Sequence, residues 1–145
     1  MRIADILSTK GCGVVHIAPD AAVHALVALL REHNLGAVVV SSDGRTIAGI
    51  VSERDVVRRL AEGADVLEQP VSALMSTDVH RGTPQDSVRS VMATMTERRI
   101  RHVPVVDAHD RLVGLVSIGD VVKSQISELE FERDQLEGYV AGASR

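Results

Sequence analysis

The chain has almost no aromatic side chains: it lacks tryptophan and carries one phenylalanine, Phe131, and one tyrosine, Tyr139. Its hydrophobic fraction of 45% therefore comes mainly from aliphatic residues and methionine, and a chain of 145 residues with that fraction can bury a sizeable interior. A pocket for a nucleobase would need aliphatic walls. The stacking platforms of single-strand nucleic-acid binders use aromatic rings, so the composition argues against that class.

Cysteine is equally scarce, because Cys12 is the only one. No intrachain disulfide can form, which fits a reducing compartment. The N-terminal segment has charged residues among short apolar stretches and lacks the apolar core of a signal peptide. No later apolar run approaches the length of a membrane-spanning helix. We therefore expect a soluble cytoplasmic protein without a membrane association.

Clustered positive charge is also missing. The formal net charge is −4 at pH 7, and the arginines and lysines are scattered along the chain. A protein that reads duplex DNA normally carries a basic face. The sequence therefore predicts no nucleic-acid partner.

What the chain does contain is an internal repeat, the first feature to test in a new sequence. A shift of 65 residues aligns 14–57 with 79–122 without a gap, and 13 of the 44 aligned positions are identical. Chance would give roughly a quarter of that number for ordinary composition. The identities also fall in register with the apolar pattern, so the two segments are predicted to share one structure.

Each copy predicts a strand, a helix, two strands and a second helix, preceded by a short lead-in turn. The first helices have apolar residues at i, i+3, i+4 and i+7: Val23, Leu26, Val27 and Leu30 in one copy, and Val88, Val91, Met92 and Met95 in the other. The apolar runs 37–40 and 102–106 indicate strands covered on both faces. The next strands contain Gly49 and Gly114, where backbone or ligand is expected to approach closely. The lead-in turns are predicted at 3–8 and 71–76.

These elements predict a mixed α+β fold. Two β-α-β-β-α repeats pack about a pseudo-twofold axis, because neither copy alone has enough core to be stable, and an extended C-terminal helix follows. The expected boundaries are 1–62 for the first repeat, 63–70 for a linker, 71–123 for the second repeat and 124–145 for the C-terminal helix and tail.

A Ser-x-x-Asp element stands at the start of the last helix of each copy, as Ser52–Asp55 and Ser117–Asp120. One interpretation is helix capping, in which the serine and the acid satisfy free N–H groups. The other is ligand binding, because a helix N-terminus attracts phosphate and an aspartate beside it can accept hydrogen bonds from a ribose diol. The two interpretations are compatible, and both stay open at this point.

The doubled pattern resembles a pair of CBS domains, also called a Bateman module. The resemblance covers nearly the whole chain. Within the family, the chain is similar to small stand-alone CBS-pair proteins of bacteria and mitochondria. It rests on Lys10-Gly11, GIVSERDVV at 49–57, RRIRHVPVVD at 98–107 and SIGDVVK at 117–123. It implies a homodimeric regulatory sensor that binds an adenosine-containing ligand between its repeats. AMP is the first choice, and ADP, ATP, NAD(H) and S-adenosylmethionine are the others.

The resemblance also implies two unequal ligand sites. The first, stronger site is expected to combine Ser52, Arg54, Asp55, Thr83, Val88, Ile100, Arg101 and His102, with Lys10 reaching a phosphate. Arg101 and His102 would supply positive charge there. The second site is expected to combine Ala18, Val23, Leu35, Gly36, Ala37, Ser117, Gly119 and Asp120. It lacks a cation at those positions, so we expect it to bind an anionic nucleotide more weakly, share a dinucleotide or stay empty.

The remaining unusual residues predict no catalysis. No arrangement of the six histidines matches a metal-binding motif, so we expect no metal site. No Ser-His-Asp or Cys-His arrangement and no phosphate loop has sequence support, so we expect a protein that is not an enzyme. Cys12 is expected to be an exposed surface thiol, with a redox role as the alternative.

The C-terminal stretch 121–140 predicts a helix that outruns the repeat. Ile126, Leu129, Leu136 and Val140 follow helical spacings, and Arg133 interrupts them. The helix either packs on its own domain or contacts a second copy or a partner protein. The alternative function is accordingly a protein-interaction or scaffold module that acts through its dimer surface and this helix, with vestigial ligand clefts.

Overall fold

The computed structural model describes residues 1–11 and 13–143. The predictions about Cys12 therefore lie outside the described residues. Within the described ranges the chain forms five helices and five strands. The helices are α1 (Ile3–Lys10), α2 (Val23–His33), α3 (Glu53–Leu60), α4 (Val88–Arg98) and α5 (Ile118–Ala143). The strands are β1 (His16–Ile17), β2 (Ala37–Val40), β3 (Gly49–Ser52), β4 (His102–Val106) and β5 (Leu112–Ser117).

The first repeat is a three-stranded sheet in the order β1-β2-β3, with β1 parallel and β3 antiparallel to the central strand. All four residues of β2 are buried, as a continuous apolar run predicts for a strand covered on both faces. Helix α2 packs against the sheet through Val23, Leu26 and Leu30. Val27, predicted on the same apolar stripe, is instead 40% exposed.

The second repeat has the same arrangement with a shorter sheet, in which β4 and β5 pair antiparallel. The predicted first strand of this copy is reduced to a single parallel bridge between Gly82 and Val105. Helix α4 buries Val88, Val91 and Met95 against the sheet. The predicted mixed fold of two repeats is confirmed, with one strand fewer than the symmetric pattern suggests.

The two lead-in segments differ from the prediction in conformation and in position. Residues 3–8, predicted as a turn, belong to α1, and the matching segment forms a 3₁₀ turn at Val71–Ala73. The N–H of Ile3 donates to the carbonyl of Asp86 at 2.9 Å, and the N–H of Val71 donates to the carbonyl of Ala21 at 2.8 Å. Asp86 and Ala21 are equivalent under the repeat, so each lead-in docks on the other copy in the same way.

This exchange reaches into both hydrophobic cores. Ile3 is fully buried among the second-repeat residues, whereas Val71 is fully buried among the first-repeat residues. A third apolar cluster, which includes Val39 and Val106, joins the two sheets. The repeats therefore share one interior around the pseudo-twofold axis, and the predicted boundaries describe chain order rather than packing.

Gly49 and Gly114 mark close approaches, as the sequence predicts. A Cβ on Gly49 would lie 2.7 Å from the carbonyl oxygen of Ser76, and a Cβ on Gly114 would collide with the side chain of Leu7. The first neighbour is backbone and the second is the end of a flexible side chain. The Ser76 backbone thus requires glycine at position 49, whereas the Leu7 side chain could move to accommodate a larger residue at position 114.

Helix α5 extends beyond the predicted stretch at both ends, from Ile118 to Ala143. Val121 and Ser124 are buried where the helix packs on α4 and α1. The side chains of residues 129–142 are all exposed. In the described ranges, no helix combines the length and apolar character that crossing a membrane requires.

Candidate functional site

The Ser-x-x-Asp elements form reciprocal caps at the starts of α3 and α5. The N–H of Ser52 donates to Asp55 Oδ2 at 2.8 Å, and the N–H of Asp55 donates to Ser52 Oγ at 3.3 Å. Ser117 and Asp120 make the same two bonds at 2.8 and 3.2 Å. The capping interpretation is confirmed. Each carboxylate uses only its Oδ2 in these bonds, so Oδ1 is available to a ligand.

A cavity of about 470 Å³ opens beside Asp55, between the two repeats. We call it the Asp55 cleft and define it by its lining: Gly36, Ala37, Ile50, Ser52, Glu53, Arg54, Asp55, Arg58, Arg99, Ile100, Arg101 and His102. Strand β3 leads directly into α3, which brings the Ser-x-x-Asp turn to its edge. The segment between α4 and β4 brings the opposite wall. The structure thus brings together six residues of the predicted first site: Ser52, Arg54, Asp55, Ile100, Arg101 and His102.

Three residues predicted for the first site lie elsewhere. Thr83 precedes α4, and its hydroxyl and N–H both donate to Asp86 at 2.9 Å. Val88 is 1% exposed in the second core, because it begins the apolar stripe of α4. Lys10 contacts the other repeat's cap instead of Asp55. None of these three is among the residues that line the Asp55 cleft, and their assignment to the first site stays a prediction.

Gly36 and Ala37, predicted for the second site, line the Asp55 cleft. The register explains their position, since Ala37 pairs with Ser52 in the antiparallel ladder of β2 and β3. The N–H of Glu53 donates to the carbonyl of Gly36 at 2.9 Å. These residues belong to the same edge as the Ser-x-x-Asp turn of their own repeat.

Two further cations of the cleft, Arg58 and Arg99, escaped the sequence prediction. Arg58 follows Arg54 by four residues, so both stand on one face of α3, where like charges repel each other. Arg99 comes directly before the Ile100–His102 segment that the resemblance did identify. Helical spacing from Asp55 was the signal that could have found Arg58.

The four arginines of the cleft make no ion pair and no side-chain hydrogen bond within the part of the chain that the structure describes: Arg54, Arg58, Arg99 and Arg101. The cleft holds two carboxylates, those of Glu53 and Asp55. Four guanidinium groups against two carboxylates leave an excess of positive charge. An arrangement of that kind favours a bound anion, above all one with the geometry of phosphate.

His102 adds no charge to this excess, contrary to the sequence prediction. Burial and the nearby Lys10 ammonium hold the pKa of His102 below its ordinary value of 6.5, although Asp120 and Glu53 act in the opposite direction. The imidazole is therefore neutral at pH 7. It stands over Gly36, where an added Cβ would lie 3.5 Å from the ring carbon Cε1. His102 lines the Asp55 cleft, and the charges of Lys10 and Asp120 at the second cap also act on its pKa.

Lys10 lies at the second cap. Its Nζ donates to Asp120 Oδ2 and to the carbonyl of Leu115, both at 2.8 Å. Partial burial raises the pKa of Asp120, but Lys10 and the N–H of Ser117 outweigh it and hold that pKa below its ordinary value. The lysine reaches this place because α1 docks on the second repeat. The second site therefore has a cation after all, and its charge is neutralised by Asp120.

A smaller cavity of about 200 Å³ lies beside Lys10, and we call it the Lys10 cleft. It is lined by Leu7, Lys10, Gly11, Gly13, Val14, Val15, His33, Leu35, Gly114 and Leu115. Leu35 is thus the member of the predicted second site that lines it. Ala18 lies in the turn before α2, Val23 is fully buried in the first core, and Gly119 is exposed at the start of α5. None of these three lines the cleft, and neither do Ser117 and Asp120. Asp120 and Lys10 together line a separate cavity of about 280 Å³ between α1 and α5.

Metal ligands do not gather in the described ranges. No group of three or more histidine, cysteine, aspartate or glutamate side chains there is close enough to hold an ion. The features that the described residues do bring together are two capped helix starts, two unequal clefts and a surplus of guanidinium groups in one of them.

Two repeats with exchanged lead-ins and a Ser-x-x-Asp cap in each define a class of protein. The model of the CBS domain family matches residues 3–62 and 71–127. The chain belongs to this family, whose members are generally regulatory rather than catalytic.

Individual relatives support the same assignment. The chain is 33% identical over 149 residues to the CBS domain-containing protein CBSX3, mitochondrial, of Arabidopsis thaliana, which covers 97% of this chain and 72% of the relative. The CBS-domain protein ATU1752 of Agrobacterium tumefaciens matches with a TM-score of 0.81 and 41% identity over 86% of this chain and 99% of its own. The CBS domain protein PAE2072 of Pyrobaculum aerophilum, solved in complex with AMP, matches with a TM-score of 0.75 and 27% identity over 83% and 89%.

Proposed function

We propose that this protein is a regulatory module that binds an adenosine-containing nucleotide in the Asp55 cleft, with AMP as the preferred ligand. The observation that carries the proposal is the convergence of four unpartnered arginines on a cavity whose edge is formed by a capped aspartate. The AMP complex of the Pyrobaculum relative supports the choice of ligand. The resemblance of the fold supports a regulatory rather than a catalytic role.

Each part of a nucleotide has a chemical counterpart in this cleft. Asp55 Oδ1 can accept a hydrogen bond from a ribose hydroxyl while Oδ2 keeps the cap. Ile50 and Ile100 offer an aliphatic wall to adenine, which suits a chain almost without aromatic residues. The guanidinium groups can donate to the phosphate, and each charge-assisted bond contributes about 1.5–3 kcal/mol. The cavity volume falls within the range of about 300–1,000 Å³ that is usual for small-molecule sites.

The two clefts should differ in affinity for anions, although for a reason other than the one the sequence suggested. The Lys10 cleft has a cation, but Asp120 already neutralises it at 2.8 Å. A phosphate there would have to compete with that carboxylate. The Asp55 cleft has uncompensated positive charge and needs no such exchange. We therefore expect the first nucleotide to bind beside Asp55.

Isothermal titration calorimetry with AMP and with adenosine tests this proposal. We expect AMP to bind at least about tenfold more tightly than adenosine, since one charge-assisted bond is worth that much. The variants Asp55→Ala and Asp120→Ala each remove the acid of a capping box, and Asp120→Ala also removes the carboxylate that pairs with Lys10. Only Asp55→Ala should abolish the tight phase. Equal losses in the two variants would contradict the difference between the clefts, and no binding of any adenosyl ligand would contradict the function.

The ligand panel should include ADP, ATP and NADH, which are anions like AMP, and S-adenosylmethionine, which carries a net positive charge and should bind the Asp55 cleft weakly. A ligand present at 100 times its dissociation constant should raise the stability of the folded protein by about 2.7 kcal/mol. The resulting shift in a thermal-denaturation experiment ranks the ligands. The largest shift for AMP is the expected result.

We also propose a homodimer formed by the helical face of the first repeat. A groove of about 570 Å³ between α2 and α3 exposes Val27, Val57 and Leu60 on the surface, and a second copy could cover these side chains. Val57→Glu should then lower the mass measured by light scattering to that of a monomer. An unchanged mass would place the dimer contact elsewhere.

A further inference from the structure

Helix α5 carries an apolar seam, from Val122 to Val140, that the fold leaves uncovered. The seam residues follow one another at spacings of four and three and are each between 41% and 64% exposed: Val122, Ile126, Leu129, Leu136 and Val140. Arg133 occupies the one position of the series that is not apolar. This alternation is the heptad pattern of a helix that pairs with another helix, and repeat one has no counterpart of it.

The seam lies on a helix that needs a partner to be stable. From Leu129 onward α5 contacts neither repeat through a buried side chain, since all residues from 129 to 142 are exposed. Gly138 and Gly142 weaken this part further, because glycine is a poor helix former. A short helix with such residues is marginal in water without packing. Association along the seam would supply that packing.

The charges that flank the seam oppose pairing with a second copy. In heptad terms the positions beside the seam beyond Ser127 are Glu130, Glu132, Glu137 and Tyr139, so every charged flank of that part is acidic, whereas Lys123 flanks the start of the seam. In a parallel pair Glu132 would face Glu137 of the second copy, and Arg133 would face its own equivalent. In an antiparallel pair Glu130 and Glu132 would each meet their own equivalents, whereas Lys123 would face Glu137. Like charges at these positions disfavour pairing, and opposite charges favour it.

We propose that the α5 seam binds a basic amphipathic helix of a different protein. The partner chemistry is a heptad stripe of aliphatic residues with lysine or arginine on both flanks, and an acid opposite Arg133. Arg133 is within reach of Asp134 at 3.4 Å and Glu137 at 4.0 Å on its own helix, so it is exposed and able to exchange these contacts for the partner's acid.

The proposal is tested with a fluorescent 21-residue peptide that has leucine along the seam, lysine on both flanks and one glutamate opposite Arg133. A twin peptide with glutamate on the flanks is the charge control. Anisotropy titrations against the full chain should show the basic peptide binding about tenfold or more tightly than its acidic twin, with an affinity that falls as salt is added. Equal binding of the twins would overturn the proposal.

Matched variants separate the seam from the rest of the helix. The double variant Leu129→Ser/Leu136→Ser should weaken the basic peptide by about a hundredfold. Phe131→Ser removes an exposed apolar residue, 63% exposed, on another face of the same helix and should leave the affinity within about twofold. Equal losses of affinity for the basic peptide in the two variants would contradict binding of the peptide along the seam.

The mass of the particle in solution tests whether a second copy of this chain occupies the seam instead. Light scattering on the full chain and on a chain ending at Ser127 should give the same number of subunits per particle. A halved number in the shortened chain would show that the seam pairs with its own kind and would overturn the proposal.

Discussion

Replacing Arg99 by asparagine should move the stability of the free protein and its affinity for nucleotide in opposite directions. Arg99 follows α4 in the left-handed region, with a φ of 56°, and Asn34 has the same place after α2 with a φ of 52°. Asparagine tolerates this region because its short side chain can hydrogen-bond locally. The substitution therefore copies the residue that the first repeat uses for the same backbone.

The size of the stability gain follows from the backbone. The left-handed conformation costs an ordinary residue about 1–2 kcal/mol, and we expect asparagine to recover about 0.5–1 kcal/mol of this. Removing one of four unpartnered guanidinium groups acts in the same direction. For a chain of this size the melting temperature of the free protein should rise by about 1–4 °C.

The loss of affinity follows from the cleft. Arg99 lines the Asp55 cleft and can donate a charge-assisted hydrogen bond to a phosphate, which is worth about 1.5–3 kcal/mol. AMP should therefore bind about 10- to 150-fold more weakly to Arg99→Asn. The affinity for adenosine, which has no phosphate, should change little.

Differential scanning calorimetry of the free protein and titration calorimetry with AMP measure the two effects. Asn34→Arg is the matched control, because it introduces the same strain at a position outside the Asp55 cleft. It should lower the melting temperature and leave AMP binding intact. A melting temperature that falls in Arg99→Asn, together with unchanged AMP affinity, would refute the assignment of Arg99 to the ligand.

Three further predictions concern the scaffold and its dependence on pH. Ile3→Ala should cost about 2–5 kcal/mol of stability, and hydrogen exchange should increase first in β4 and β5 rather than in β2, because Ile3 is buried in the second core. Gly49→Ala should cost about 1–3 kcal/mol in urea denaturation and more than Gly114→Ala, because its Cβ meets the Ser76 carbonyl rather than a flexible side chain. The free energy of unfolding should fall as the pH drops below 6.5, because the pKa of His102 is lowered in the folded protein and the unfolded chain binds the proton first. His102→Gln should flatten that slope in denaturation curves measured on either side of this pH, and an unchanged slope would assign it to other groups.

Local patterns in the sequence correctly predicted the helix caps and the buried strand, because both depend on residues that are close together in the chain. The Ser-x-x-Asp spacing predicts a cap because a serine and an acid three residues apart meet the same helix turn, and the bonds of Ser52 and Asp55 follow it. The continuous apolar run at 37–40 predicts a strand covered on both faces. Each of these inferences involves residues close together in the chain, so the pattern contains the needed information.

The exchange of the lead-ins could not be predicted in this way, because it depends on packing between segments more than 50 residues apart. Lys10 was expected to reach a phosphate in the first site, whereas docking of α1 on the second repeat puts it on Asp120. Val88 is buried by the apolar stripe of α4, and Thr83 in the turn before that helix bonds Asp86, so neither lines the Asp55 cleft. The protonation of His102 was missed for a related reason, since burial and Lys10 lower its pKa only in the folded chain.

The exchanged lead-ins make the two repeats into an interlocked pair. Ile3 completes the core of the repeat that follows it, and Val71 completes the core of the repeat that precedes it. Cutting the backbone near Gly63 would therefore leave two fragments that still hold each other, each by a piece of itself embedded in its neighbour. Neither repeat can swing away as an independent hinged body. A signal that starts in one cleft must consequently travel as a distortion shared by both halves.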